Sequence, residues 1–183
     1  MNTPAHNPSI GFILGRRSIR VYRPGEIDEP TIQALLEAAM AAPSAVARDP
    51  WRFVVIRSRA TLTAMTQILP NGQMLATAAL GIVVCGELDA AHDRQLSYLL
   101  QDCAASVENL LLAAHGLGLG ACWLGIHPRE ARVQKIASLL GIPAGVIPVA
   151  AIALGWPGET KEPRTRFNAA LVHRERWGSP SPL

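Results

Sequence analysis

Residues 94–125 read RQLSYLLQDCAASVENLLLAAHGLGLGACWLG, the most strongly patterned stretch of the chain. From residue 94 to residue 115 the apolar side chains keep the 3.6-residue period of an α-helix across about six turns. These positions are Leu96, Leu99, Leu100, Cys103, Val107, Leu110, Leu111 and Ala114. We expect a helix this long and apolar to be buried on more than one side, either as the central helix of the domain or against a second subunit. Gly116 ends the predicted helix, and Ala121–Gly125 is predicted to be a strand.

The flanking sequence predicts a domain that contains both helices and strands. Further helices are predicted over residues 9–16, 28–43, 60–68 and 128–141, and further strands over Trp51–Arg57, Leu80–Cys85 and Val146–Leu154. Asp28 is a suitable N-cap with Pro30 in the first turn, and Pro43 ends that helix. Leu80–Cys85 is entirely apolar and is therefore predicted to be a central strand. Because no repeat, low-complexity tract or linker divides the chain, one domain is predicted over residues 1–183.

The composition is that of a folded protein with little charged surface. Of the 183 residues, 49% are hydrophobic and only 17% are charged. Soluble domains average ~25% charged residues, so disorder of the bulk of the chain is excluded, and the low charge suggests that a partner subunit covers part of the surface. The net charge is +3, with +3 in residues 1–59, −2 in residues 60–155 and +2 in residues 156–183. The two basic ends either meet around one anion or carry scattered solubility charge.

Cysteine usage and the apolar segments indicate a soluble, cytoplasmic protein. Cys85, Cys103 and Cys122 lie in apolar surroundings, and their odd number favours buried free thiols in a reducing compartment. No cysteine and histidine spacing matches a common zinc site, so no metal is predicted. The apolar stretch Leu110–Ile126 contains four glycines and is predicted to be a helix end, a turn and a strand, with no membrane span. The pair Arg16-Arg17 resembles a twin-arginine export signal, but such a signal needs an apolar stretch after it. Polar, turn-forming residues follow instead, so export is not predicted.

The glycine-rich segment between the long helix and its strand has no nucleotide-binding signature. A dinucleotide fingerprint must follow a strand and open a helix, whereas Gly116–Gly120 follows a helix and opens a strand. Gly120–Gly125 has phosphate-loop spacing, but Ile126 and His127 stand where Lys and Ser or Thr are needed. The segment is therefore interpreted as a tight turn.

Two arginine clusters are the candidate anion site. The segment Arg16–Arg20 places guanidinium groups beside the Ser18 hydroxyl, and the guanidinium fork matches phosphate oxygens. The alternative is a surface loop with salt bridges. Arg164 and Arg166 alternate along an extended segment and offer a second half of the same cradle. Nucleic-acid binding is disfavoured because aromatic residues form only 5% of the chain and the central segment is acidic.

Five segments in this order resemble the nitroreductase family of FMN-dependent oxidoreductases. The resemblance covers nearly the whole chain, from about Gly15 to Trp177. The matching segments are Arg16-Arg17-Ser18-Ile19-Arg20, Ala42-Pro43-Ser44-Ala45 leading to Pro50-Trp51-Arg52-Phe53, Gln101-Asp102 through Glu108–Ala114 and on to Gly116–Gly125, Leu154-Gly155-Trp156-Pro157, and Pro163-Arg164-Thr165-Arg166. The resemblance implies an α+β fold with a central mixed β-sheet flanked by helices, in an intertwined homodimer with one FMN per subunit at the interface.

The resemblance also implies a set of flavin-binding residues. Arg16, Arg17 and Ser18 would hold the phosphate and ribityl chain, with Arg164 and Arg166 closing on the phosphate. Arg20 would approach the pyrimidine edge of the ring, where a cation stabilises the anionic reduced flavin. Asn71 and Gln73 would contact the polar edge, and Leu124 and Gly125 would present their backbone to the ring. The expected contribution of the other subunit is Pro43, Ser44, Ala45 and Ala47.

The implied chemistry is ping-pong hydride transfer from NAD(P)H through FMN to a nitroaromatic, a quinone or a similar acceptor. The flavin carries the chemistry, so no catalytic acid or base is predicted. Many relatives have Asn at the position of Ala47 and Gln at that of Asp49, so one contact to the cofactor is lost and one negative charge is added unless Arg48 or Arg52 neutralises it. These departures leave open an FMN enzyme with different chemistry (dehalogenation, dehydrogenation or flavin consumption) or a non-catalytic flavin-binding protein.

Overall fold

The structure, a computed structural model, describes residues 7–179. Two units are distinguished: Arg16–Lys161, and the described residues of Met1–Gly15 with Glu162–Leu183. The helices are α1 (Pro8–Gly15), α2 (Glu29–Met40), α3 (Arg59–Ile68), α4 (Leu96–Gly116) and α5 (Glu130–Leu140); the strands are β1 (Tyr22–Arg23), β2 (Trp51–Ile56), β3 (Leu80–Glu87), β4 (Gly120–Gly125) and β5 (Val146–Pro157). Every predicted helix and strand is present. The single domain over residues 1–183 remains a prediction.

The first unit is built on a sheet with β5 at its centre. Strand β3 pairs along one edge of β5 and β4 along the other, while β2 lies outside β3 and the short β1 pairs with the end of β5. All four ladders between these described strands are antiparallel, and the one isolated parallel bridge joins Ser18 to Ala121. The α+β class is thus confirmed, but the expectation of a mixed sheet is wrong. A helix between two strands is long enough to allow either parallel or antiparallel pairing of those strands, so the order of helices and strands does not decide between them.

Helices cover both faces of this sheet. Since successive residues of a strand point to opposite faces, one strand can contribute side chains to two cores. On one face Ile82 and Val84 belong to a core shared with α2 and α4. On the other face Val83 and Cys85 belong to a core shared with α3 and α5. Helix α4 packs against α2 and the sheet, and five side chains of its apolar stripe are wholly inaccessible to solvent. They are Leu99, Cys103, Val107, Leu110 and Ala114.

Local signals explain where the elements begin and end. The Asp28 carboxylate accepts a hydrogen bond from the Thr31 N–H at 3.0 Å and caps α2 as predicted. Gly141, with a φ of 65°, ends α5 in the left-handed conformation that glycine adopts without strain. The cysteines are buried and free as expected, and burial raises the pKa of the Cys85 and Cys103 thiols to about 12. Over the described residues, none of the helices is long and apolar enough to cross a bilayer.

Candidate functional site

A cleft of about 460 Å³ opens between the end of β4, the segment after α3 and the start of α5. It is lined by Arg20, Leu69, Pro70, Asn71, Gln73, Met74, Trp123, Leu124, Gly125 and Arg132. Three separate segments therefore bring together five of the predicted site residues. They are Arg20, Asn71, Gln73, Leu124 and Gly125.

The segment that carries Arg20 is fixed against β4 by its backbone. The Ile19 N–H donates a hydrogen bond to the Ala121 carbonyl at 3.0 Å. The Tyr22 hydroxyl lies 2.9 Å from the Ile19 carbonyl oxygen and 3.0 Å from that of Ala153. Gly120 permits this close approach, because a Cβ at that position would lie 2.7 Å from Ile19 Cγ2. Arg20 therefore enters the cleft from a braced segment of backbone.

Glu159 and Lys161 form a clamp behind the same segment. The Glu159 carboxylate accepts hydrogen bonds from the backbone N–H groups of Arg20 at 2.6 Å and Val21 at 3.3 Å. The Lys161 ammonium lies 3.0 Å from that carboxylate and donates to the Ser18 carbonyl at 2.8 Å. The bond from the Arg20 N–H, with further contributions from Lys161, lowers the pKa of Glu159. Lys161 and the backbone N–H groups thus balance the negative charge of Glu159 behind the cleft.

The Arg20 guanidinium is close to the buried thiol of Cys122. Burial raises the pKa of that thiol, while the charge of Arg20, and less strongly that of Lys161, opposes the increase. Cys122 is therefore expected to remain a neutral thiol beside the cleft.

Glu159→Gln should reduce stability at neutral pH by about 1 kcal/mol, since a charged acceptor is exchanged for a neutral one at a partly exposed site. The pKa of Glu159 is lower in the folded chain than its usual 4.5. Its contribution is therefore present above that pH and is lost as the pH falls below it. Urea unfolding at about pH 7 and about pH 3.5 measures the difference, which should shrink in acid. Glu26→Gln, an exposed neighbour, is the control; a difference that grows in acid would contradict the assignment.

The predicted residues Pro43, Ser44, Ala45 and Ala47 form a second feature, a loop between α2 and β2. They do not line the cleft of their own chain. The Ser44 hydroxyl lies 2.5 Å from the Asp49 carboxylate and accepts the Asp49 N–H at 3.0 Å. The carboxylate of Asp49 is thus bonded to Ser44, while Arg52 pairs with Glu87. The negative charge of Asp49 is thus bound within the loop by the Ser44 hydroxyl, and neither Arg48 nor Arg52 forms an ion pair with it.

This loop is strained and is anchored from beneath. Val46, Ala47 and Asp49 have φ values of 47°, 53° and 50°, which non-glycine residues rarely adopt. The Asp102 carboxylate, on α4 and only 5% exposed, accepts the Ala45 N–H through Oδ1 at 2.9 Å. Its Oδ2 has no hydrogen-bond partner among residues 7–179. Sequence reasoning missed Asp102, although an acid within the buried stripe of α4 is a usable signal.

The arginine clusters are placed in different units. Arg16 donates through Nε to the Glu108 carboxylate on α4 at 3.1 Å, as in the salt-bridge alternative. Arg17 and Ser18 continue the braced segment toward β4, outside the lining of the cleft. Arg164 and Arg166 belong to the other unit. Their role in closing on a phosphate remains a prediction.

The sequence did not predict five of the lining residues, among them Trp123 and Arg132. Trp123 is 37% exposed between the buried side chains of Cys122 and Leu124. Arg132, on the first turns of α5, donates through Nη1 to the Gly125 carbonyl at 3.0 Å. An apolar strand residue is ordinarily assigned to a core, and a helix arginine to the surface. Only the turn that follows Gly125 brings Arg132 back to the cleft.

The lining fits a planar heteroaromatic ring with one polar edge. Its volume is within the range of about 300–1,000 Å³ found for small-molecule sites. Leu69, Met74 and Leu124 supply apolar surface, while the amides of Asn71 and Gln73 supply donors and acceptors. Arg20 adds a cation, and the lining contains no acid. In residues 7–179 no group of three or more His, Cys, Asp or Glu side chains is arranged to hold a metal ion.

Comparisons with known proteins find similar sequences and similar structures. The sequence profile of the Nitroreductase family matches residues 13–70 and 67–156. A protein of Archaeoglobus fulgidus, "Putative NADH dehydrogenase/NAD(P)H nitroreductase", is 43% identical over 169 residues, 91% of this chain and 97% of that protein. A crystal structure of the same name from Parabacteroides distasonis superposes with a TM-score of 0.88 at 33% identity, covering 93% of this chain and 99% of the other. A "putative nitroreductase in complex with fmn" from Desulfovibrio desulfuricans has a TM-score of 0.80 at 32% identity, covering 93% and 98%.

Proposed function

Because the chain belongs to the nitroreductase family, we propose that it is an FMN-dependent oxidoreductase that uses NAD(P)H to reduce a nitroaromatic, a quinone or a similar small acceptor by a ping-pong mechanism. The observation that carries the proposal is the cleft that Arg20, Asn71 and Gln73 line together with Leu124 and Gly125. A cation, two amides and apolar surface in one cleft suit a flavin ring, which has apolar faces and a polar edge. The relative from Desulfovibrio desulfuricans has its structure in complex with FMN.

The protein residues bind and tune the flavin. When bound, FMN supplies the hydride chemistry, taking two electrons from NAD(P)H and returning them to the acceptor. Arg20 stabilises negative charge at the pyrimidine edge, and the amides of Asn71 and Gln73 orient the ring. Leu124 and Gly125 present backbone groups to it. In this proposal Arg16, Arg17 and Ser18 hold the phosphate and ribityl chain.

The proposal includes a homodimer with the flavin at the interface. The first unit exposes large apolar side chains near the loop that follows α2 and at both ends of α4. They are Met40, Val46, Leu96, Tyr98 and Leu117. A surface this apolar in a chain with few charges is expected to be covered by a second copy. The strained loop of one protomer then contributes Pro43, Ser44, Ala45 and Ala47 to the cleft of its partner, in a cytoplasmic enzyme.

The proposal is tested with the purified protein. We expect a flavin absorption spectrum, as isolated or after FMN is added, that bleaches without oxygen when NADH or NADPH is supplied. Addition of 4-nitrobenzoate or a quinone should then restore the spectrum. A protein that takes up no FMN overturns the proposed function. Bound flavin that neither nucleotide reduces would assign the chain a flavin-binding role.

A further inference from the structure

The cleft contains a cation and an aromatic ring that flavin binding, as proposed above, does not use. Of the two arginines in its lining, Arg20 is assigned to the flavin, and Arg132 has no assigned role. Trp123 lines the same cleft and is partly exposed. We propose, on the basis of the proposed function, that Arg132 and Trp123 select planar aromatic acceptors that carry an anionic substituent such as a carboxylate.

Arg132 is oriented before any ligand binds. Its Nη1 donates to the Gly125 carbonyl at 3.0 Å, and the side chain is half-buried. A guanidinium has five N–H donors in a rigid plane, so one bond to a carbonyl leaves donors for a bidentate contact with a carboxylate. Less side-chain entropy is lost on binding when the group is already fixed. Arg132 is therefore better suited to recognise a carboxylate than a mobile surface lysine.

The acids near the cleft do not neutralise Arg132. Glu130, on the same helix, accepts a hydrogen bond from the Gln134 amide at 2.8 Å. Glu159 is bonded to backbone N–H groups and to Lys161. With two arginines and no acid in its lining, the cleft has a positive potential that attracts an anion.

Trp123 supplies the selection for a ring. Its neighbours in β4, Cys122 and Leu124, are buried, while Trp123 is 37% exposed and is one of the residues that line the cleft. An aromatic acceptor can stack on or meet the edge of this indole. Such a contact contributes to binding whether or not the ligand is charged. Trp123 and Arg132 are therefore expected to have separable effects on affinity.

The test compares matched acceptors and matched ligands on the FMN-loaded protein. The acceptors are 4-nitrobenzoate and the neutral 4-nitrobenzamide, compared by kcat/KM. The ligands are benzoate and benzamide, which are not reduced, and their dissociation constants are read from the flavin absorption spectrum. We expect the wild type to prefer each anion by about tenfold or more, as one charge-assisted contact provides. Arg132→Met should abolish both preferences, and Arg132→Lys should retain part of them.

Control variants separate this role from a general effect of charge. Lys135→Met removes a positive charge from an exposed position on the same helix and should leave both preferences unchanged. Trp123→Leu should weaken benzoate and benzamide alike. A wild type that binds benzoate no more tightly than benzamide overturns the proposal, whatever the stability of the variants. So does an Arg132→Met variant that changes the preference between NADPH and NADH while the preference for 4-nitrobenzoate persists. A protein that binds no FMN overturns the proposed function as well, so the two failures are distinguishable.

Discussion

Asp102→Ala should release FMN from a protein that remains folded. The variant removes the carboxylate that accepts the Ala45 N–H and thereby unties the loop from α4. We expect the dissociation constant of FMN to rise by about tenfold or more, equivalent to a loss of about 1.4 kcal/mol of binding energy. Fluorescence titration of the apoprotein with FMN measures the change.

The strain of the loop is the reason for so large an effect. A left-handed conformation costs a non-glycine residue on the order of 1–2 kcal/mol, and Val46, Ala47 and Asp49 all adopt it. Such a loop keeps its shape only where other contacts impose it. Among these contacts are the Ser44–Asp49 hydrogen bonds and the Asp102 anchor. Without the anchor the loop can relax, and in the proposed dimer that change reaches the partner's flavin.

The free energy of unfolding should respond differently from the flavin affinity. Asp102 buries a carboxylate with one unpartnered oxygen, a costly arrangement whose removal offsets the lost hydrogen bond. We therefore expect the free energy of unfolding of Asp102→Ala to lie within about 1 kcal/mol of that of the wild type. Ser106→Ala, at a buried hydroxyl on the same helix, is the matched control and should bind FMN normally. Asp102→Asn, which keeps an acceptor for the Ala45 N–H, should recover most of the affinity.

Two outcomes would contradict this role for Asp102. One is an Asp102→Ala protein with unchanged affinity for FMN. The other is a loss of affinity in Ser106→Ala as large as that in Asp102→Ala, since the effect would then come from general damage to α4.

The sequence predicts the fold well wherever one element carries its own signal. The apolar stripe of α4 and the uninterrupted apolar run of β3 both reflect burial, which composition and spacing record directly. The orientation of strand pairs has no comparable local signal, and the sheet proved antiparallel where a mixed sheet was expected. The two-residue strand β1 is too short to give any pattern.

The residues of the candidate site were likewise predicted only where a segment of sequence carries a signal of its own. Arg20, Asn71 and Gln73 were predicted because each lies in a segment that resembles the family, and the cleft brings them together. Trp123 was missed because an apolar strand residue is ordinarily assigned to a core, and Arg132 because its position depends on how the chain turns after Gly125. The environment of Asp49 was likewise beyond prediction, since its bond to Ser44 requires the left-handed turn between them.

Arg20→Met should lower the two-electron reduction potential of the bound flavin. Reduced flavin carries negative charge at its pyrimidine edge, and a cation there stabilises the reduced form relative to the oxidised form. A drop of about 30–60 mV is expected, since 30 mV corresponds to about 1.4 kcal/mol for a two-electron couple. Equilibrium titration against a dye of known potential measures it. The segment should keep its position, because the clamp by Glu159 holds the backbone of Arg20 and not its side chain.

Kinetics and controls distinguish this tuning from mere loss of a contact. A lower potential makes hydride transfer from NAD(P)H less favourable and transfer to the acceptor more favourable, so the first half-reaction should slow and the second should not. Loss of a positioning contact would slow both. Arg23→Met removes an equal charge from an exposed position three residues away, outside the cleft lining, and should leave the potential unchanged. Arg20→Lys should retain most of the wild-type reduction potential, because the positive charge is kept. If Arg20→Met and Arg23→Met shift the potential equally, the effect belongs to the net charge of the protein and Arg20 has no specific place at the flavin.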